Sequence, residues 1–399
     1  MTQILILYAS LGSGHISAAK ALCEAFESFE EVTVRCEDAL AHSSALYRSI
    51  VTRAYEQLSE NVPSLYKAFY EGSNTEDLER SLDNNLAWAK LERLFFRQLA
   101  QLVGEANPDI IVCVQQIPSR LLQLLDPEDE ILIPQYVVVT DAIVHSTWIN
   151  RGVRGYFLAN DISKIMLQQR GIPAEILHVS GIPIHSAIAE SKDQADTKRR
   201  YEWPLDMPLV TLMGGGLNPK RVRTMVQHLL ESPLKLYLVI VAGRNVDLLD
   251  AIADLEDSPT VRIEKLGQID MVDDLVVASD IVITKAGGLI TSEILARGTP
   301  MVIVDPIPGQ EEQNADLIAA AGAGIQLRLP EMVAPAVQFL LRHPDRLEEM
   351  REWARALGRP RAALDVAKGV LQSEGVLDAE GQSIVLRHHT AVDQVTSDA

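Results

Sequence analysis

The stretch IVITKAGGLITSEILARGTPMVIVDPIPGQEEQN, residues 281–314, decides how the rest of the chain is read. Residues 281–284 form a short apolar, β-rich run that predicts a buried strand. Lys285-Ala286-Gly287-Gly288 turns that strand sharply into a helix, and Gly298-Thr299-Pro300 ends the helix. Residues 301–304 predict the next strand, after which Pro306, Pro308 and Gly309 force a loop. A β–loop–α–β unit of this kind brings helix N-terminal amides to the carboxyl ends of parallel strands. Anions bind there, because first-turn N–H groups lack helical partners and the helix dipole is positive at that end.

Three groups of side chains sharpen the reading. Glu293 lies about one and a half turns into the helix, within reach of a ribose diol. Gln310, Glu311 and Asn314 follow the loop and offer donors and acceptors suited to sugar hydroxyls. Two glycines also make an ordinary tight turn, and GQEEQN also caps a helix, so residue chemistry alone leaves both readings open. The segment resembles the donor-binding stretch of the lipid-modifying GT-B glycosyltransferases, which include monogalactosyldiacylglycerol synthase and the bacterial processive diacylglycerol glucosyltransferases. The peptidoglycan lipid N-acetylglucosaminyltransferase is a more distant member. The resemblance implies that Glu293 holds the ribose of UDP and that the Gln310–Asn314 run holds the donor sugar.

Bulk properties bound the partners. The chain has 399 residues, enough for two domains with separate cores. Its formal charge of −19 excludes nucleic acid as the main partner and argues against a purely electrostatic grip on anionic lipid. Cys23, Cys36 and Cys113 show no paired or metal-like spacing, which points to a reducing cytoplasm. The opening MTQILILYAS reads as a first strand, not a signal peptide, and no apolar run reaches the about 18 residues that span a bilayer. The expectation is a soluble protein, or one lying peripherally on the inner face of the cell membrane.

From the amino terminus, residues 4–8 predict a strand, followed by the loop Ala9–His15 and a helix over 16–29. The second strand, 32–36, ends in Glu37-Asp38. A glycine loop after strand one with acids about 20 residues on also suits a dinucleotide-binding fold. That rival stays open. Against it stands His15, at the mouth of the helix where a pyrophosphate would pack. YASLGSGHISAAKAL resembles the amino-terminal motif of the glycolipid synthases, which puts Gly12, Ser13 and Gly14 on the acceptor side. An imidazole near a helix N-terminus is kept neutral, the form able to take a proton from an acceptor hydroxyl.

Residues 41–100 predict helices rich in aromatic residues interleaved with Arg and Lys. Leu46, Ile50, Val51, Tyr55 and Leu58 make one stripe. Such helices cover a sheet or, equally, form a groove for lipid. LYKAFYEGSN resembles the family's acceptor and membrane-contact region. Strands follow at 109–115 and 136–140, the second ending in Asp141, with His145 and Trp148 just beyond. VVVTDAIVHSTWINRGVRGYFLAN resembles the family's acceptor-facing segment. It makes Asp141 and His145 second candidates for acid–base work and puts Trp148 on the acceptor side. A turn-capping role for Asp141 is the alternative. His185 stands where the glycolipid synthases commonly carry arginine.

The second domain starts with a strand at 209–213 that runs into Gly214-Gly215-Gly216, bare backbone that a diphosphate can approach. Strands at 236–241 and 261–266 continue the alternation, the latter followed by Gly267, whose surroundings contact the uracil in the family. The pattern predicts an α/β chain of the GT-B type. Two Rossmann-like domains, 1–190 on the acceptor side and 205–372 on the UDP-sugar side, would face each other across a cleft, with C-terminal helices and a disordered tail over 373–399.

The resemblance implies an inverting transfer of a hexose from a UDP-sugar to a membrane lipid, diacylglycerol first among the candidates. His15 or Asp141 would take the acceptor proton. Gly215, Gly216, Gly267, Lys285, Gly287 and Gly288 would line the donor site, with no metal and no cofactor beyond the UDP-sugar substrate. A nucleotide-dependent dehydrogenase or sugar-nucleotide epimerase, or a non-catalytic sugar-nucleotide sensor, are the alternatives.

Overall fold

The computed structural model describes residues 1–124 and 133–382. The chain divides into two units, residues 1–186 with 361 onward, and residues 187–360. Each is built on a six-stranded, wholly parallel sheet.

The first sheet runs β2-β1-β3-β4-β5-β6, with β1 (Thr2–Tyr8), β2 (Val32–Asp38), β3 (Ile110–Cys113), β4 (Gln135–Val138), β5 (Val153–Leu158) and β6 (Leu177–Val179). The second runs β12-β11-β10-β7-β8-β9, with β7 (Leu209–Met213), β8 (Leu236–Val241), β9 (Val261–Leu266), β10 (Ile281–Thr284), β11 (Met301–Val304) and β12 (Gly324–Leu327). Helices cover both faces, so the central strands are buried throughout: every residue of β3, β10 and β11 is buried. In each sheet the winding reverses once, between β1 and β3 and between β7 and β10. Strand ends part at such a reversal and leave a crevice at their carboxyl ends.

The insertion after β2 is four helices, Ala45–Asn61, Pro63–Ser73, Leu78–Glu92 and Arg97–Ala106. The later two cover the sheet, and Tyr47 of the first packs against the same core. Leu99, Leu102 and Val103 enter the core, and Glu92 forms a buried bidentate pair with Arg120 while accepting from the Tyr47 hydroxyl. The earlier helices are in contact with each other but turn Leu46, Ile50, Leu65 and Phe69 outward, with Leu46 65% and Phe69 62% exposed. Leu46 and Ile50 of the 46–58 stripe therefore face away from the core, while Val51 is half-buried.

Three expectations need correction. The second unit ends at Pro360, not 372, because the helix Ala362–Ser373 packs on the helix Ser13–Glu27 of the first unit. It buries Ala363, Val366, Val370 and Leu371 there, and Glu374 just beyond it accepts from the Tyr136 hydroxyl. Leu377 is also buried, so the expected tail does not begin at 373; residues 383–399 lie outside the described residues. At the other crossover, residues 187–200 belong to the second unit. Arg297 donates to the carbonyls of Ala187 and Glu190 and to Asp273, which also pairs with Lys192. Lastly, Cys23 and Cys36 are joined in a disulfide. The helix after β1 lies against β2 and brings the two residues together, which sequence spacing does not reveal.

Gly358 sits where the helix Pro344–Leu357 crosses the helix Gly288–Arg297. A Cβ there would stand 2.5 Å from the Leu295 carbonyl oxygen. Backbone cannot swing aside as a side chain can. Gly358→Ala should therefore cost about 1–3 kcal/mol, read as a lower urea midpoint at unchanged slope.

Candidate active site

Polar groups gather at the strand reversal of each unit. In the first unit, Gly12 takes φ of 91°, which lets the chain leave β1 and enter the helix Ser13–Glu27 with no side chain capping its N-terminus. Gly14 and His15 lie in the first turn. His15 Nδ1 stands 3.2 Å from the carbonyl oxygen of Val114, just after β3, and 3.0 Å from the hydroxyl of Thr140, after β4. A carbonyl only accepts, so Nδ1 carries the proton and Nε2 keeps its lone pair. Burial pushes the imidazole below its ordinary value, while the charge of Asp141 and the Val114 hydrogen bond oppose the shift. The ring is neutral at pH 7, with Nε2 unbonded among the described residues.

Asp141 is buried and accepts from Trp148 Nε1 at 2.9 Å. That geometry suits a fixed negative charge that stabilises an imidazolium better than it suits a proton-transfer group. Trp148 is fully buried and presents no surface to a ligand, contrary to its expected place on the acceptor side. It holds Asp141 instead.

His145 is likewise committed. Its Nδ1 accepts from the Thr147 backbone N–H at 3.2 Å and faces the Thr147 hydroxyl at 2.9 Å, and Nε2 donates to the Tyr70 carbonyl at 2.9 Å. The ring lies 4.4 Å from that of Tyr70. Burial lowers its proton affinity. With both nitrogens engaged it cannot serve as a base without breaking the loop, so it is a structural residue. His185 pairs with Glu24 at 3.2 Å.

The acids that would bind ribose in a dinucleotide fold are also occupied. Asp38 accepts from the backbone N–H groups of Ser10 and Leu40. Glu37 pairs with Arg35 and His42, which hold its carboxyl below the usual range against the effect of burial.

In the second unit, Gly214 is buried and donates to the Val241 carbonyl at 2.8 Å, leaving Gly215 and Gly216 exposed. A Cβ on Gly215 would lie 3.1 Å from the Ala242 carbonyl oxygen, and one on Gly216 would lie 3.5 Å from the Lys285 side chain. The loops after β7 and β10 thus meet at the reversal. Gly267 accepts from the Gly243 N–H at 3.2 Å and completes the adjoining loop. Gly287 caps the helix Gly288–Arg297 with no side chain, so its first-turn amides are not covered from within.

Glu293, in that helix, forms no hydrogen bond or ion pair among the described residues. Burial, and after it the charge of Asp273, pushes its carboxyl up to about 7. Glu311 accepts from the Ile307 N–H at 2.7 Å and lies 3.7 Å from Lys285. Asn314 is buried, with Nδ2 donating to the Ala286 carbonyl at 2.8 Å. It steadies the glycine loop rather than standing open to a sugar. Gln310 is half-buried at the start of its helix and carries interactions of its own. Among the described residues no three His, Cys, Asp or Glu are grouped as metal ligands would be.

Sequence reasoning missed Thr140 and Val114, which orient His15. It also missed Arg221, which holds Asp305 through two contacts of 2.6 Å. Asp305 takes φ of 45°, a strained turn for a non-glycine residue, at the mouth of the 305–309 loop. No local pattern marks a long-range pair of this kind.

Two parallel Rossmann-like units in one chain, each with its polar groups at the strand reversal, define the GT-B class of fold. The crystal structure of MurG from Acinetobacter baumannii matches 93% of this chain and 100% of its own, at TM-score 0.61 and 16% identity. The S. aureus MnaA–UDP co-structure matches 94% and 98%, at TM-score 0.63 and 15% identity. Identities this low speak to fold alone.

Sequence likeness is more specific. The monogalactosyldiacylglycerol synthase family model matches residues 15–184, and the glycosyltransferase family 28 C-terminal domain model matches residues 209–365. Processive diacylglycerol beta-glucosyltransferases of Bacillus mycoides (strain KBAB4) and Bacillus subtilis (strain 168) are 29% and 26% identical to it. The first match covers 92% of this chain and 93% of the relative, the second 96% and 98%. The chain is a glycosyltransferase that resembles the GT-B glycolipid glycosyltransferases along most of its length.

His145→Ala should lower stability by about 1–3 kcal/mol, because it strands the Thr147 N–H and the Tyr70 carbonyl. Urea unfolding reads the loss. Whatever the variant's rate, the acid limb of its pH profile should stay where it is in the parent, since His145 does not titrate in the reaction.

Proposed function

We propose that the protein transfers a hexose from a UDP-sugar to the hydroxyl of a diacylglycerol-like lipid with inversion at the anomeric carbon. The observation that carries this reading is His15: an imidazole locked through Nδ1, neutral, and unbonded at Nε2 among the described residues, at the strand reversal of the first unit. The curated relatives named for diacylglycerol support the acceptor, and a neighbour holding UDP supports the donor. The occupied Glu37 and Asp38 weigh against a dinucleotide enzyme.

In this account the lipid hydroxyl gives its proton to His15 Nε2 while its oxygen bonds to the anomeric carbon. The bond from that carbon to the diphosphate breaks, and UDP leaves with the electron pair. Asp141 steadies the imidazolium. In the second unit, the amides of the Gly214–Gly216 loop and of the helix opening at Gly288 meet the charge that grows on the diphosphate, and Glu293 accepts from the ribose diol. No metal or further cofactor enters the account.

Access to the lipid follows from the insertion. No helix among the described residues is long and apolar enough to cross a membrane. Leu46, Ile50, Leu65 and Phe69, exposed on two touching helices, are the surface we assign to the bilayer. Phe96, buried, and Phe95, stacked on Tyr47 at 5.2 Å, are not part of it. Placement on the inner face of the cell membrane rests on the substrate class, not on the cysteines.

The direct test incubates the protein with UDP-glucose, UDP-galactose and UDP-N-acetylglucosamine against diacylglycerol and a lipid extract, with the product identified by mass. A hexosyl lipid is expected; turnover of the UDP-sugar with no lipid product would favour a hydrolysing or epimerising enzyme. His15→Ala should cut kcat by about 10²–10⁴-fold and remove the acid limb of the rate profile, which in the parent lies below the ordinary imidazole range. A folded variant with near-normal turnover would move the base to Asp141. Leu65→Ser with Phe69→Ser should weaken vesicle sedimentation while leaving the melting temperature near the parent's. Unchanged sedimentation would remove these two side chains from the membrane surface.

A further inference from the structure

The hydroxyl of Tyr70 is buried and has no hydrogen-bond partner among the described residues. Buried polar groups are as a rule bonded, so an idle phenol is a cost that the fold carries. The rest of the residue is firmly held. Its carbonyl accepts from His145 Nε2 at 2.9 Å, and its ring lies 4.4 Å from the His145 ring, tilted by 40°. Tyr70 is thereby tied to the 141–148 loop, in which Trp148 holds Asp141. Burial, and after it the charge of Asp141, raises the phenol above its ordinary value, so it keeps its proton at any working pH. The same carboxylate acts on His15. A fixed donor and the lone pair of His15 Nε2 therefore share one charged neighbour.

The helix Pro63–Ser73 joins this donor to the surface assigned above to the bilayer. It turns Leu65 and Phe69 outward and sets Tyr66 and Tyr70 one turn apart on a more sheltered face, with ring centroids separated by 6.2 Å.

The head of a diacylglycerol carries one hydroxyl, which can give a proton, and two ester carbonyls, which only accept. His15 Nε2 matches the hydroxyl. A donor close by with nothing to donate to matches a carbonyl. We propose that the Tyr70 hydroxyl binds an acyl ester carbonyl of the acceptor lipid and so seats the glycerol with its free hydroxyl toward His15. The proposal rests on the lipid-glycosylation reading given above and deepens it: the enzyme selects acyl over alkyl glycerolipids, because an ether has no carbonyl to accept. The idle donor weakens the free enzyme, and the loss is recovered when the ester arrives.

Tyr70→Phe tests this, since it keeps the ring on His145 and removes only the hydroxyl. Without lipid, the melting temperature of the variant should equal or exceed the parent's. A clear drop would show that the hydroxyl has a partner inside the protein and would overturn the proposal. With diacylglycerol, kcat/KM should fall about tenfold, the worth of one good hydrogen bond. The parent should prefer diacylglycerol to its dialkyl ether analogue by about the same factor, and the variant should treat the two alike. Equal losses on both acceptors, which would mark a contact with the reacting hydroxyl instead, or no loss on either, would overturn it. Infrared spectroscopy reads the contact without turnover. Dihexanoylglycerol isotope-labelled at both ester carbonyls should show, on the parent, a carbonyl band shifted to lower wavenumber that Tyr70→Phe lacks. If the parent glycosylates no lipid, the functional reading fails and this band alone decides the contact. No shift on the parent, or the same shift on both proteins, would overturn it.

Discussion

A carboxylate held partly out of water without a partner is costly, and Glu293 is such a group. Its neighbours do not relieve it. Asp273, which adds to the strain on Glu293, is itself held ionised by Arg297 and Lys192. That network also ties residues 187–192 to the second unit. The Gly288–Arg297 helix that carries Glu293 starts at an uncapped glycine beside the exposed Gly215 and Gly216. A stretch that leaves both amide donors and an acidic acceptor uncovered at a strand reversal is arranged for a ligand with a charged end and a diol end.

The first unit solves a matching problem with opposite chemistry. Its reversal point presents a neutral base, and the groups around it serve to keep that base in one tautomer. Val114 and Thr140 come from the ends of two different strands, so the position of His15 depends on the register of β1, β3 and β4. Trp148 and His145 do not reach toward a substrate. They lock the loop after β4 so that Asp141 lies near the imidazole.

The strands and the two sheets were legible from sequence because buried parallel strands read as apolar runs, and glycine loops punctuate them. The placement of His15 and Glu293 followed from the same punctuation and from motif resemblance. What sequence could not supply was long-range pairing. Nothing local indicates that the last described helix, Ala362–Ser373, crosses back to the first unit, or that Cys23 meets Cys36. Residue type misled for His145, Trp148 and Asn314, since a polar or aromatic side chain near a site serves equally well to hold the site in shape. The helical stripe beginning at Leu46 shows the same ambiguity: periodicity reports one face, not which side of it is wet.

Calorimetric titration of UDP between pH 6 and 8, on the parent and on Glu293→Gln, tests the central claim most directly. The ribose diol donates to an ionised carboxylate, and a carboxyl that titrates near 7 loses that form as the pH falls through it. UDP's own phosphate titrates nearby, so the comparison with the variant isolates the residue. The account predicts that parent affinity rises with pH more steeply than the variant's, and that at pH 8 the variant binds UDP more weakly by about 1.5–3 kcal/mol. Equal affinity and equal pH dependence in the two proteins would contradict it.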